Sequence, residues 1–98
     1  MTHETFGFIG LGLIGGSLAK ALKRSNPSCR IMAYSRTSAT TDLAISEHAI
    51  DICCTSVSDP QFAACDCIFL CAPVDTNISA LRILKDIVQP DCILTDVG

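Results

Sequence analysis

The sequence predicts an α/β fold, a doubly wound parallel sheet of five strands in the order 3-2-1-4-5 with helices on both faces. Three observations predict it. Its strand-length segments are unbroken apolar runs rather than polar and apolar alternations, which marks strands covered on both faces. Stretches with helical spacing separate those runs, so each strand is reached through a crossover and lies parallel to the last. The first run passes directly into Gly10-x-Gly12-x-x-Gly15 and then into a helix-patterned stretch.

The elements follow in order. Thr5 to Ile9 is a short apolar strand, and Ile14, Leu18, Ala21 and Leu22 fall on one face of the helix that follows. Ser25, Asn26, Pro27 and Ser28 form a turn cluster before a second strand, Arg30–Tyr34. Residues 35–41 read as a polar loop, residues 42–50 as a helix, and residues 51–55 as the third strand. Ser58, Asp59 and Pro60 announce a short helix through Ala64, with the proline in its first turn. Residues 67–71 are the fourth strand, ended by Pro73. Asp75 is placed to cap a helix running to Val88, with Ile78, Leu81, Leu84 and Val88 inward, and Gln89 and Pro90 stop it before a fifth strand at residues 92–95. There is no internal repeat or low-complexity linker, so residues 1–98 read as one domain.

The glycine spacing carries a chemical meaning. Gly10 permits a tight turn off the strand, Gly12 has no Cβ to obstruct a pyrophosphate, and Gly15 lets helix and strand pack closely. The free N–H groups and positive dipole end of the helix then face phosphate oxygens. With a strand before it and a helix after it, the motif reads as the dinucleotide fingerprint of a Rossmann-like unit. Leu13 and Ile14 complete the turn, and the ligand is expected outside the carboxyl ends of strands one and four, where the strand order reverses.

Composition narrows the class. A net charge of −3 with scattered basic residues excludes a general nucleic-acid or acidic-membrane surface. The longest apolar run, residues 67–72, falls far short of the roughly 20 residues of a membrane span, and the N-terminus lacks the basic start of a signal peptide, so a cytoplasmic location is expected. Cysteines at 29, 53, 54, 65, 67, 71 and 92 form an odd set with no C-x-x-C pair, as expected of small buried apolar residues and not of a disulfide framework or a metal site. Hydrophobic residues make up 49% of the chain, enough that some apolar surface is expected to serve contacts beyond these residues. His3 and His48 are expected to be ordinary exposed residues, and no catalytic role is given to either.

Three blocks in order carry a resemblance: Gly10-Leu-Gly-Leu-Ile-Gly-Gly-Ser17, Asp66-x-Ile-Phe-Leu-x-Ala-Pro73-Val74, and Leu94-Thr-Asp-Val-Gly98. Together they resemble the start of the prephenate and arogenate dehydrogenase family of tyrosine biosynthesis, across essentially the whole chain. Related β-hydroxyacid dehydrogenases tend to carry methionine where this chain has Ile14. The resemblance implies oxidation of prephenate or arogenate by NAD or NADP with loss of a carboxylate as CO₂. It also implies that the family's catalytic histidine, its substrate-binding arginines and its helical dimerisation domain lie outside this chain. The chain alone is then not catalytically competent. It stands as the cofactor half of a homodimeric enzyme, and the competing readings are a stand-alone NAD(P)-binding or redox-sensing module and another β-hydroxyacid-dehydrogenase-like oxidoreductase.

The end of the second strand bears on which dinucleotide binds. An NAD-binding unit places a carboxylate there to accept from the adenosine ribose hydroxyls, whereas this chain reads Tyr34-Ser35-Arg36-Thr37. A carboxylate repels a 2′-phosphate, while Ser35, Arg36 and Thr37 offer hydroxyls and a guanidinium that bind one. NADP is therefore the expected cofactor. Cys71, Ala72 and Pro73 should run along it between pyrophosphate and nicotinamide ribose, through backbone groups, and Asp96 should close the fifth strand near the nicotinamide.

Overall fold

A computed structural model describes residues 4–97, so His3 and Gly98 lie outside the described residues. Five parallel strands form one sheet in the order β3-β2-β1-β4-β5. They are β1 Thr5–Ile9, β2 Arg30–Tyr34, β3 Ile52–Cys53, β4 Cys67–Leu70 and β5 Ile93–Asp96. Between them run α1 Gly12–Ser25, α2 Ser38–Ser46, a 3-10 helix Pro60–Ala64 and α3 Val74–Leu84.

The central strand is apolar on both faces because both are covered. Phe6 and Phe8 of β1 join Ile31 and Ala33 of β2, Ala19 of α1 and Ala44 of α2 in one cluster. Ile9 joins Met32, Ile68, Leu70, Phe62 of the 3-10 helix, and Ala80 and Leu84 of α3 in the other. Helices α1 and α2 therefore cover one face, and the 3-10 helix and α3 the other. Phe8 stacks on Phe69 of β4 with ring centroids 5.0 Å apart. Fully burying a side chain of that size contributes about 2–3 kcal/mol.

One polar cluster ties the far end of the sheet together. Asp51 accepts from the Ile31 amide at 2.8 Å and pairs with Lys23 of α1 at 2.7 Å. Lys23 also donates to the Cys29 carbonyl at 2.6 Å. Asp51 thus holds the start of β2 twice, its backbone N–H donating to the Ile31 carbonyl at 2.8 Å and its carboxylate accepting from the Ile31 amide, and the third strand is two residues long rather than the expected span of 51–55.

Helix boundaries differ from the sequence expectation for identifiable reasons. α2 begins at Ser38, not at 42, because Thr41 turns its hydroxyl inward to donate to the Ser38 carbonyl at 3.0 Å, so a hydroxyl-rich run that favours loops in isolation is absorbed into a helix. It closes with His48 at φ +59° and the Ala49 amide bonded to the Ala44 carbonyl at 2.9 Å, a left-handed C-terminal cap. His48 is exposed. Asp75 does not cap α3: it sits in the first turn, and the cap position is Pro73. α3 stops at Leu84, where the Ile87 amide bonds back to the Leu84 carbonyl at 2.9 Å in a tighter turn.

Two helix faces are also rotated from the expected ones. In α1 the inward residues are Gly15 and Ala19 flanked by Leu18 and Leu22, while Ile14 and Ala21 are exposed. In α3 the inward residues are Asn77, Ala80 and Leu84, and Ile78 and Leu81 face outward. Apolar periodicity placed Leu18, Leu22, Leu84 and Val88 against the core and missed the rest of each face, because small or polar residues take the most sheet-facing positions.

Candidate functional site

The site is built from the carboxyl ends of β1, β2 and β4, which the strand order brings side by side. β1 ends at Ile9 and the chain reverses through Gly10, whose φ of +82° is accessible to glycine at little cost. A Cβ on Gly10 would lie 3.0 Å from the Ala72 amide nitrogen, so the turn after β1 is pressed against the segment after β4. Gly12, at φ +35°, opens α1. A Cβ there would meet nothing within 4 Å, which is the open cradle a pyrophosphate needs. Gly15 is the close-approach residue of the first helical turn: its Cβ would sit 3.1 Å from the Gly10 carbonyl oxygen and 3.4 Å from Cys71.

α1 begins without a side-chain cap and with no acidic residue in its first turn. First-turn N–H groups lack intrahelical partners, and the helix end carries a partial positive charge. Nothing in that turn neutralises it, so the arrangement suits a phosphate group.

Above the strand ends lies a cleft of about 270 Å³. Gly10, Gly12, Ser35, Arg36, Cys71, Ala72 and Pro73 line it, so seven of the residues named from the sequence meet around one cavity. Leu13 lines an adjoining cleft of about 310 Å³ between α1 and α2. Ile14 is exposed on α1, Gly15 is buried beneath the loop, and Thr37 is the residue before α2, its amide donating to the Ser35 hydroxyl at 3.4 Å. The cleft also brings in Tyr34, Leu11, Thr40 and Thr76. The two threonines were not legible: Thr40 was hidden in an apparent loop, and Thr76 becomes visible only once α3 is known to start at Val74.

The charged side chain on the cleft wall is Arg36. Among the described residues the ion pairs are Lys20 with Glu47 at 3.1 Å and Lys23 with Asp51 at 2.7 Å, and neither uses Arg36. No carboxylate lines the cleft. The Cys71 thiol is pushed up from its ordinary value by burial and, secondarily, by the Asp96 carboxylate, so at neutral pH it presents a neutral wall and not an anion. Among the described residues no group of three His, Cys, Asp or Glu side chains is arranged to hold a metal ion, and no helix is long and apolar enough to cross a membrane.

A family model described as the nucleotide-binding domain of prephenate dehydrogenase matches residues 18–98 of the chain. The chain belongs to the prephenate dehydrogenase family. The match begins after the glycine turn, so the fingerprint stands as an independent observation. The crystal structure of prephenate dehydrogenase from A. aeolicus in complex with hydroxyphenyl propionate and NAD+ superposes with a TM-score of 0.89 at 29% identity, over 100% of this chain and 34% of its own. Arogenate dehydrogenase from Synechocystis superposes with a TM-score of 0.84 at 32% identity, over 96% of this chain and 32% of its own. A lactate dehydrogenase from Cryptosporidium parvum, at 15% identity and a TM-score of 0.72, shares the fold. The chain therefore spans about a third of the length of its prephenate and arogenate dehydrogenase relatives. It corresponds to the family's nucleotide-binding domain.

Proposed function

We propose that this chain is the NADP-binding part of a prephenate or arogenate dehydrogenase, an enzyme of tyrosine biosynthesis whose substrate-binding and dimerisation parts lie outside these residues. Membership of the family and the relative bound to NAD+ support a nicotinamide cofactor. The observation that carries the choice of NADP is the end of β2, where Ser35 and Arg36 face the cleft and no carboxylate is present. Thr37 and the first turn of α2 lie beside them.

Each group has a defined task in this reading. The α1 N-terminus and the open face of Gly12 hold the pyrophosphate, and the Arg36 guanidinium with the Ser35 and Thr37 hydroxyls holds the 2′-phosphate. The backbone of Cys71, Ala72 and Pro73 guides the dinucleotide from pyrophosphate towards the nicotinamide ribose. Once bound, the cofactor supplies the oxidant by accepting a hydride from the substrate carbon. The chain contributes binding and orientation. Proton transfer and recognition of the substrate carboxylate belong to the remainder of the enzyme.

Arg36→Ala tests the assignment. A charge-assisted hydrogen bond contributes about 1.5–3 kcal/mol, so NADP affinity should fall by roughly 10- to 150-fold while NAD affinity stays nearly constant. Calorimetric titration of the variant with each dinucleotide measures this. Equal losses for both would remove Arg36 from the 2′-phosphate site.

A further inference from the structure

We propose that Asn77, a residue of α3 outside the cleft wall, positions the segment after β4 and so holds the dinucleotide site in its binding geometry. This rests on the reading of the cleft as a dinucleotide site. Asn77 is one of two buried polar residues in the chain's described part, at 2% exposure. Both Nδ2 hydrogens and Oδ1 of its side-chain amide are engaged, and all on one short segment. Oδ1 accepts from the Ala72 amide at 3.2 Å, and Nδ2 donates to the Ala72 carbonyl at 2.9 Å and to the Leu70 carbonyl at 3.3 Å. The orientation of the amide is fixed by its partners, because the flipped form would set NH₂ against an N–H and oxygen against two carbonyls.

The consequence reaches the site through one backbone contact. Leu70 is the last residue of β4, and its carbonyl also accepts from the Val97 amide at 3.2 Å. Beyond it the chain leaves the ladder after one more bond, from the Cys71 amide to the Ile9 carbonyl at 2.9 Å. Ala72 is then held by Asn77, and Ala72 is the residue against which Gly10 is pressed. Gly10 and Ala72 form facing parts of the same cleft wall. One buried amide on α3 therefore sets the spacing between the glycine turn and the segment after β4. The backbone N–H of Asn77 donates to the Pro73 carbonyl at 3.0 Å, the first i to i−4 bond of α3, so the same residue joins that segment to the first turn of the helix.

Removing the side chain frees Ala72 without changing the identity of any cleft-lining residue. Asn77→Ala should weaken NADP binding by about tenfold, the equivalent of one hydrogen bond's contribution. A residue that merely stabilises the fold would not do this selectively, so Ala80→Gly provides the control. Ala80 lies one turn further along the same buried face of α3, and its replacement should lower the melting temperature while leaving the hydrogen bonds from Asn77 to Ala72 intact. The expected result is weakened binding in Asn77→Ala with Ala80→Gly within twofold of the original chain. Equal affinity in all three proteins, or equal weakening in both variants, overturns the proposal. Failure of the unsubstituted chain to bind any dinucleotide would instead overturn the reading of the cleft. Should Asn77→Ala not fold, amide exchange in the ligand-free original chain decides. An Ala72 amide protected to the level of the β4 amides supports a preset segment, and a freely exchanging one contradicts it.

Discussion

At the scale of single residues, two glycines in one motif have different physical duties, and their substitutions should separate. Gly10→Ala meets backbone: the new methyl group would stand 3.0 Å from the Ala72 nitrogen at a positive φ. It should cost about 1–3 kcal/mol of stability and distort the cleft. Gly12→Ala meets open space, with strain only from its φ of +35°. Its cost should be about 1 kcal/mol, but the methyl group would occupy the place proposed for the pyrophosphate. Denaturant unfolding and dinucleotide titration of both proteins measure the contrast: Gly12→Ala is expected to fold nearly normally and fail to bind. A Gly12→Ala protein that binds as tightly as the original would mean that the cradle lies elsewhere. The motif's spacing made both glycines and their separate duties legible, and the structure adds what each would meet: Ala72 at Gly10 and open space at Gly12.

At the scale of elements, legibility followed burial. Strands β1, β2 and β4 were readable because both faces are covered and their apolar runs have no competing interpretation. Boundaries failed where a side chain bonds locally. Thr41 hides the start of α2 by donating to Ser38, and Asp51, just before β3, commits its carboxylate to Ile31 and Lys23. The inward faces of α1 and α3 were read only in part, through Leu18, Leu22 and Leu84, because the rest of the sheet side is occupied by Gly15, Ala19, Asn77 and Ala80. Close packing of helix on sheet at these points requires small residues, and hydrophobic periodicity does not register them. Asn77 escaped notice for the same reason: its importance comes from Ala72 and Leu70, which are partners defined by the fold. The cysteines next to the 3-10 helix belong to this scale too. Cys54 follows β3 and Cys65 follows the 3-10 helix, and burial pushes each thiol up to about 12. Both should resist alkylation at pH 8 in the folded chain and react only on unfolding, which mass spectrometry of labelled peptides reads directly. Prompt native-state labelling of Cys65 would contradict its placement in the core.

At the scale of the whole molecule, those thiols make stability depend on alkaline pH. In the unfolded chain they ionise near their ordinary value of 9.0, while in the fold they stay protonated to about 12. The folded pKa is raised, so their contribution is fully present below pH 9 and is lost as pH rises towards 12. The melting temperature should fall from pH 9 to 11, and the fall should be shallower in a chain carrying both Cys54→Ala and Cys65→Ala. Identical slopes in the two proteins would remove the thiols as the cause. The architecture also leaves Ile93, on the edge strand β5, 63% exposed in a chain that covers about a third of its relatives' length. The doubly wound order was legible from the alternation of elements, and it is this order that sets the ends of β1, β2 and β4 around one cleft. In the proposed function, recognition of the dinucleotide follows from this topology and is refined locally by Ser35 and Arg36.

The most direct measurement is a calorimetric titration of the 98-residue chain with NADP and, separately, with NAD. Tighter binding of NADP, by roughly 10-fold or more, is the predicted result, since a charge-assisted 2′-phosphate contact has that magnitude. Binding of NAD equal to or tighter than that of NADP would contradict the role given to the end of β2.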